Sequence, residues 1–115
     1  MRQVVREQAI THGFTLVDQT KLVTAASELA RNVINYGGGG EVSIAVLTEG
    51  TKKGLELVFT DEGPGIPDVE LALKDGYTTG TGMGLGLGGA KRLSNEFRIE
   101  TKVGAGTRVT IVRWK

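Results

Sequence analysis

Glycine is concentrated in one stretch of this chain, and that stretch most limits the possible folds and functions. Of the 115 residues, 18 are glycine, more than twice the average usage of about 7%. Six of them fall in the run Gly80-Thr-Gly-Met-Gly-Leu-Gly-Leu-Gly-Gly89. The interleaved Met83, Leu85 and Leu87 favour a loop that runs into an amphipathic helix rather than a linker. Such a loop can hold phosphate groups, because it lacks Cβ atoms and the start of the helix offers free N–H groups.

Two common phosphate-binding motifs do not fit this run. Residues 84–89 match the dinucleotide pattern G-x-G-x-x-G, but that pattern must follow a strand, whereas residues 75–79 are polar and turn-like. A P-loop requires Gly-Lys followed by Ser or Thr, which does not occur here. A flexible surface loop without a ligand is the alternative explanation.

Composition excludes several other functions. The chain is long enough for one domain and too short for two, so residues 1–115 are expected to form a single domain. It has no cysteine and one histidine, His12, which excludes disulfides, thiolate metal sites and histidine-cluster metal sites. A net charge of +1 and few aromatic residues argue against nucleic-acid binding. No apolar run approaches the roughly 18 residues that span a bilayer, so we expect a cytoplasmic protein without a membrane partner.

Two amphipathic helices are predicted in the first third of the chain. The first covers residues 2–11 and is ended by Gly13. The second covers residues 16–35, and Asp18 is expected to cap its start. The side chains expected to face inward are Val4, Val5, Ala9 and Ile10 in the first helix and Leu22, Ala26, Leu29, Ala30 and Val33 in the second.

Alternating apolar residues predict four strands, and the first two are joined by a turn-forming linker into an antiparallel hairpin. Helices on one face of a largely antiparallel mixed sheet make a two-layer α+β sandwich. The predicted segments after the second helix are strands over 41–48 and 55–60, a short helix over 69–74, a mobile loop over 76–82, a helix over 86–94, and strands over 96–103 and 107–114.

Glu28 and Asn32 lie four residues apart and are therefore neighbours on the second helix, with Arg31 beside them. This spacing can turn a carboxylate and an amide oxygen toward one Mg²⁺, which prefers oxygen ligands. Taken alone, the pattern is more often an ordinary solvated helix face.

Asp61 ends an apolar strand and is followed by the turn-forming segment Glu62-Gly-Pro-Gly-Ile-Pro67. A carboxylate in that position can accept a hydrogen bond from the exocyclic amine of adenine, and would discriminate against a base with a carbonyl there. Taken alone, this aspartate is more simply a turn former.

Together, in this order and spacing, the three motifs resemble the N, G1 and G2 boxes of the GHKL (Bergerat-fold) ATP-binding family. The motifs are Glu28-Leu-Ala-Arg-Asn32, Asp61-Glu-Gly-Pro-Gly-Ile-Pro67 and Gly82-Met-Gly-Leu-Gly-Leu87. The closing Gly104-Ala-Gly-Thr107 and the strand after it also resemble the family, so the likeness covers nearly the whole chain. It implies a Bergerat-type fold that binds ATP and Mg²⁺.

Within this family, the small size and the short segment between the boxes resemble the stand-alone anti-sigma-type kinases, and the RsbT-type switch kinases of stress signalling most of all. This likeness implies a serine/threonine kinase that phosphorylates a STAS-domain partner, with a phosphatase or sigma factor further along the pathway. Two alternatives stay open, namely a non-catalytic anti-sigma factor or scaffold that binds ATP, and a detached histidine kinase ATP domain.

The resemblance also implies roles for individual residues. Asn32 would coordinate Mg²⁺, Glu28 would orient or deprotonate the attacking hydroxyl, and Arg31 would face the γ-phosphate or the partner. Members of the family usually begin with a strand before the first helix, whereas here the first helix starts almost at Met1, so we expect one edge strand to be missing. The nucleotide-binding residues implied, besides Asn32, are Asp61, Gly63, Gly65, Ile66, Thr81, Gly82, Met83, Gly84, Leu85, Gly86 and Thr107.

Overall fold

Three helices and four strands follow one another in the computed structural model, which describes residues 2–35, 38–66 and 85–115. The short helix predicted over 69–74 and the loop predicted over 76–82 lie outside the described residues. In chain order the elements are α1 (Arg2–Thr11), α2 (Leu16–Asn35), β1 (Gly40–Glu49), β2 (Lys52–Asp61), α3 (Leu85–Arg92), β3 (Glu96–Lys102) and β4 (Gly106–Trp114).

The four strands form one sheet in the order β1-β2-β4-β3, and all of its strand pairs are antiparallel. The predicted hairpin is confirmed, with a shorter turn than expected, because β1 and β2 pair as far as Glu49 and Lys52. The predicted two-layer α+β fold is confirmed as well. No parallel pair occurs within the described strands, so the mixed character expected of the sheet is not seen there.

The core lies between the sheet and α2, which packs against β1 and β2 and is flanked by α1 and α3. Leu55, Leu57 and Phe59 alternate along β2 and are almost completely buried, because a strand turns every second side chain to the same face. Ile111 on the neighbouring β4 is equally buried on that face. None of the described helices is both long enough and apolar enough to span a membrane.

The helix predictions hold for α2 and only in part for α1. The predicted apolar face of α2 is buried, except that Ala30 is only partly covered. In α1, Val5 and Ala9 are buried, but Val4 and Ile10 are 48% and 56% exposed, which contradicts their predicted inward position. Since α1 packs against α2, its buried stripe is a narrow i, i+4 seam rather than a broad face.

Thr15, rather than the predicted Asp18, caps the start of α2. The hydroxyl of Thr15 accepts a hydrogen bond from the backbone N–H of Asp18 at 3.2 Å. This places Asp18 at the third position of the helix, where its carboxylate is free to bond elsewhere. Its partner is Arg113, near the end of β4, whose Nη2 lies 2.7 Å from Asp18 Oδ1.

Arg113 joins three elements. Besides the ion pair with Asp18, its Nη1 donates to the backbone carbonyl of Leu93 at 2.8 Å, just after the end of α3. The two charged side chains are 14% and 24% exposed. The hydrogen bond from Arg113 lowers the pKa of the Asp18 carboxyl below its usual value. The guanidinium thus links the start of α2 and the end of α3 to the sheet.

Replacing Arg113 with methionine is expected to lower the free energy of unfolding by about 1–3 kcal/mol at neutral pH, because a partly buried carboxylate and a carbonyl lose their donor. The matched control is Arg98→Met, because Arg98 is exposed and lies on the opposite face of the sheet. Urea denaturation measures both. The prediction is wrong if the two variants lose the same stability.

The same pair predicts a pH dependence. Because folding lowers the pKa of Asp18, the pair stabilises the protein above about pH 4 and its contribution is lost as the pH falls through the lowered folded-state pKa. Urea denaturation repeated from about pH 6 to pH 2.5 should show a smaller acid-induced loss for Arg113→Met than for the unsubstituted protein.

Candidate functional site

A pocket opens between α2, the end of β2 and the start of α3. Its empty space, including the open mouth, is about 490 Å³. Most of its wall is apolar, and the polar groups are few. The lining residues are Leu29, Asn32, Val33, Phe59, Asp61, Pro64, Gly65, Ile66, Leu87, Thr107 and Val109.

Asp61 and Thr107 form a pair of hydrogen-bond acceptors in this wall, referred to below as the acceptor pair. They are direct cross-strand partners in β2 and β4, so their side chains point to the same face of the sheet. Asp61 Oδ1 also accepts the backbone N–H of Gly63 at 2.9 Å, which orients the carboxylate. The structure therefore brings together two residues that the sequence placed in separate motifs.

The turn after β2 is held against the turn between β3 and β4. Gly65 is buried and has a φ of 78°, and a Cβ added to it would collide with the backbone carbonyl of Lys102. The backbone N–H of Gly104 donates to the carbonyl of Pro64 at 2.8 Å, which locks the two turns together. Gly65 is thus required by backbone packing, whatever else it permits in the pocket.

Gly65→Ala is expected to lower the free energy of unfolding by at least about 3 kcal/mol, since it combines a left-handed φ with a backbone collision. The control is Gly104→Ala. Gly104 has a φ of 84°, but a Cβ added to it would have no neighbouring atom within 4 Å. That variant should lose only about 1 kcal/mol. Denaturant unfolding of both variants separates the cost of the collision from the cost of the left-handed φ. Equal losses in the free energy of unfolding would contradict the packing role of Gly65.

Asn32 presents an unpartnered polar group to the pocket. Its Nδ2 is buried and has no hydrogen-bond partner among the described residues. A buried amide without a partner costs free energy, so a ligand group that accepts its hydrogen bond would be favoured there. Rotating the carboxamide by half a turn would present its oxygen instead, which is a ligand that Mg²⁺ accepts. The residue therefore suits either a phosphate oxygen or a cation bound to phosphate.

Glu28 lies one helical turn before Asn32, Arg31 directly precedes it, and neither residue is part of the pocket lining. They form an ion pair in which Arg31 Nη1 lies 3.0 Å from Glu28 Oε2. The side chain of Glu28 is 33% exposed and that of Arg31 is 60% exposed. An ion pair this exposed contributes little stability, so either side chain can leave it for a ligand. The predicted catalytic pair is thus on the same helix as Asn32 but outside the pocket lining.

Only the end of the glycine-rich run lies within the described residues. Thr81, Gly82, Met83 and Gly84 lie outside the described residues, and Leu85 and Gly86 are the first two residues of α3. The next residue, Leu87, is 3% exposed and lines the pocket. The amino-terminal end of α3, with its free N–H groups and positive dipole, therefore lies beside the pocket.

Of the other predicted residues, Gly65, Ile66 and Thr107 line the pocket, and Gly63 bonds to Asp61 behind it. Apart from Ile66 and Gly65, the apolar lining was not among the predicted site residues. The sequence could have predicted these residues. Apolar side chains on the inward faces of the helix that carries Asn32 and of the strand that ends in Asp61 must lie close to those two polar side chains. The apolar residues missed are Leu29, Val33, Phe59, Pro64, Leu87 and Val109.

Thr101 in β3 was missed for a different reason. Its hydroxyl contacts the Thr107 hydroxyl at 2.9 Å and accepts the backbone N–H of Ile66 at 2.9 Å. Nothing in the sequence distinguishes it from any other strand threonine, since its partners are brought to it by strand pairing and by the turn after β2. The pocket thus combines an apolar slot, an acceptor pair at one wall and a helix start at another.

Comparison with known proteins agrees with this arrangement. The model of one protein family, described as histidine kinase-, DNA gyrase B-, and HSP90-like ATPase, matches residues 17–115. The matched region contains α2 from its second residue onward, the whole described sheet and α3.

Two curated relatives are similar over most of the chain. The serine/threonine-protein kinase RsbT of Bacillus subtilis (strain 168) is 43% identical over 113 residues, which cover 98% of this chain and 85% of that protein. The anti-sigma F factor of Geobacillus kaustophilus (strain HTA426) is 33% identical over 102 residues, which cover 83% of this chain and 68% of that protein.

Solved structures share the fold. The mycobacterial sensor histidine kinase MprB superimposes with a TM-score of 0.63 at 27% identity, over 84% of this chain and 71% of that one. The catalytic domain of histidine kinase ThkA gives a TM-score of 0.59 at 22% identity, over 84% and 67% of the two chains, a likeness of fold alone.

Proposed function

Because the chain belongs to the family of histidine kinase-, DNA gyrase B- and HSP90-like ATPases, we propose that it is a serine/threonine-protein kinase that transfers the γ-phosphate of ATP to a STAS-domain partner. Residues 1–115 would act as one ATP-binding kinase domain in the cytoplasm. The observation that carries the proposal is the pocket in which the acceptor pair, Asn32 and the start of α3 surround one apolar slot.

The acceptor pair suits adenine. An ionised carboxylate only accepts hydrogen bonds, so Asp61 favours a base that offers an exocyclic amine. The apolar slot between Phe59, Ile66 and Val109 matches the flat faces of a purine. A base with a carbonyl in place of the amine would leave a buried acceptor unpaired, which disfavours its binding.

The phosphates would extend from this slot toward α2 and α3. The free N–H groups at the start of α3 attract anions, and residues 81–84 before it are proposed to bind the phosphates. Asn32 would hold Mg²⁺ through its amide oxygen, which takes the place of the unpartnered Nδ2 when the carboxamide is rotated by half a turn. When bound, Mg²⁺ would neutralise phosphate charge and orient the γ-phosphate for attack.

Glu28 is proposed as the base that receives the proton of the attacking hydroxyl. It lies one helical turn from Asn32 and is exposed enough to meet a hydroxyl carried by another protein. Arg31, its ion-pair partner, is free to turn toward the γ-phosphate or toward an acidic group of the partner once Glu28 is engaged. Transfer is direct and needs no covalent enzyme intermediate.

The direct test is transfer of label from γ-labelled ATP to a purified STAS-domain protein. We expect a phosphoprotein whose label survives acid, as phosphoserine and phosphothreonine do. Acid-labile label would indicate a histidine acceptor and contradict the proposal. ATP binding without transfer to any STAS-domain protein offered would contradict the kinase assignment, while leaving the nucleotide site intact.

One alternative has an observation in its favour, namely the 33% identity to a protein named as an anti-sigma F factor. In that case the chain would bind ATP and sequester a sigma factor. Co-purification separates the two functions, since recovery of a sigma factor without a phosphorylated partner would favour sequestration.

A further inference from the structure

Thr101, which lies behind the pocket wall in β3, makes three hydrogen bonds with its one hydroxyl group. It is 2.9 Å from the backbone nitrogen of Ile66, 3.1 Å from the carbonyl oxygen of Gly106 and 2.9 Å from the hydroxyl of Thr107. The residue is half-buried and directly opposite Thr107 in the β3–β4 pair. Of its three neighbours, only Thr107 lines the pocket with a polar side-chain atom.

The number of protons fixes the direction of each bond. A threonine hydroxyl donates one proton and accepts at two lone pairs. The N–H of Ile66 can only donate, so it takes one lone pair of Thr101, and the carbonyl of Gly106 can only accept, so it takes the proton. The one remaining lone pair of Thr101 must then accept from Thr107.

The consequence lies in the pocket. Since the proton of Thr107 is committed to Thr101, the Thr107 oxygen offers only lone pairs on its other side. Asp61, its cross-strand partner, also offers only lone pairs while it is ionised. Without Thr101, the hydroxyl of Thr107 could rotate and donate to a ligand instead. Both members of the acceptor pair therefore present only lone pairs to the pocket, as long as Thr101 accepts the proton of Thr107.

We propose that Thr101 is a positioning residue that sets the selectivity of the pocket for an amino-substituted purine, by keeping Thr107 a hydrogen-bond acceptor. This inference rests on the proposed function, because it supposes that the pocket receives the base of a nucleotide. Thr101 does not touch the ligand. It acts through the proton of Thr107, whether Thr107 meets the base directly or through a water molecule, since a water that donates to Thr107 keeps its own acceptor for the amine.

The test compares ATP with inosine triphosphate, which carries a carbonyl where adenine has its amine. Calorimetry gives the ratio of the two affinities for the unsubstituted protein, Thr101→Val and Thr101→Ser. Valine removes the hydroxyl at similar volume, whereas serine keeps it. We expect the preference for ATP to fall about tenfold in Thr101→Val and to stay within about twofold in Thr101→Ser.

A purely structural role would weaken both nucleotides equally and leave their ratio unchanged, so an unchanged ratio in Thr101→Val overturns the inference. Thermal unfolding without nucleotide checks that the variant is folded. If it is not, Thr101→Cys takes its place, because a thiol is a weak hydrogen-bonding group of similar size, and the same fall in the ratio is expected. Failure of the unsubstituted protein to bind ATP at all would instead overturn the proposed function.

Discussion

Asp61→Asn is expected to weaken ATP binding at least about a hundredfold while the protein stays folded. Asparagine can keep the bond from Gly63 with its one amide oxygen, the bond that now holds Asp61 Oδ1 at 2.9 Å. Its amide nitrogen would then face the pocket and present a donor to the donor amine of adenine. Two donors cannot pair, and a buried polar group without a partner is costly.

The matched control for Asp61→Asn is Glu56→Gln, the same chemical change in the same strand. Glu56 lies on the opposite face of β2 from Leu55 and Leu57, away from the pocket. Calorimetry should show normal ATP affinity for this control, and thermal unfolding should show that both variants are folded. Normal ATP binding by folded Asp61→Asn would show that the adenine site has been placed wrongly.

Glu28→Gln is expected to slow phosphate transfer to the partner at least about a hundredfold and to change ATP affinity by no more than about twofold. Glutamine keeps the shape of the side chain but cannot take up a proton. Because Glu28 lies outside the pocket wall, the nucleotide should not depend on its charge. The measurement is single-turnover transfer from γ-labelled ATP, with ATP binding determined separately.

The control for Glu28→Gln is Glu7→Gln, an exposed helix glutamate in α1 that bonds only to a nearby Gln3 among the contacts described. It should transfer phosphate at the normal rate. If Glu28→Gln also transferred at the normal rate, the general base would have to be sought elsewhere. If it lost ATP affinity in parallel with transfer, Glu28 would be a binding group rather than a base.

Predictions of single elements from the sequence succeeded where the signal was local. The alternation in β2 and the helical repeat in α2 are properties of a few consecutive residues, and both elements lie where the patterns put them. Asp18 shows the limit of such signals. An aspartate near a helix start predicts a cap, but Thr15 takes that role and Asp18 pairs with Arg113, which lies 95 residues later.

The site shows the same difference between what local sequence patterns predict and what contacts between distant residues decide. Asn32, Asp61, Gly65, Ile66 and Thr107 were expected from three separate motifs, and the structure places all five in one pocket wall. Glu28 and Arg31 were expected beside Asn32; they lie on the same helix but do not line the pocket. The roles of Thr81 to Gly84 stay predictions, because these residues lie outside the described structure.

The glycine-rich run over residues 80–89 illustrates what the sequence alone determined about this protein. The run indicated a loop that leads into a helix, because residue type and spacing encode local backbone structure; phosphate binding by the run and adenine binding by Asp61 stay predictions. Only the tertiary structure decided which polar groups meet. Strand register sets Asp61 opposite Thr107 and Thr107 opposite Thr101, and it is this contact between distant residues that determines where each proton is held.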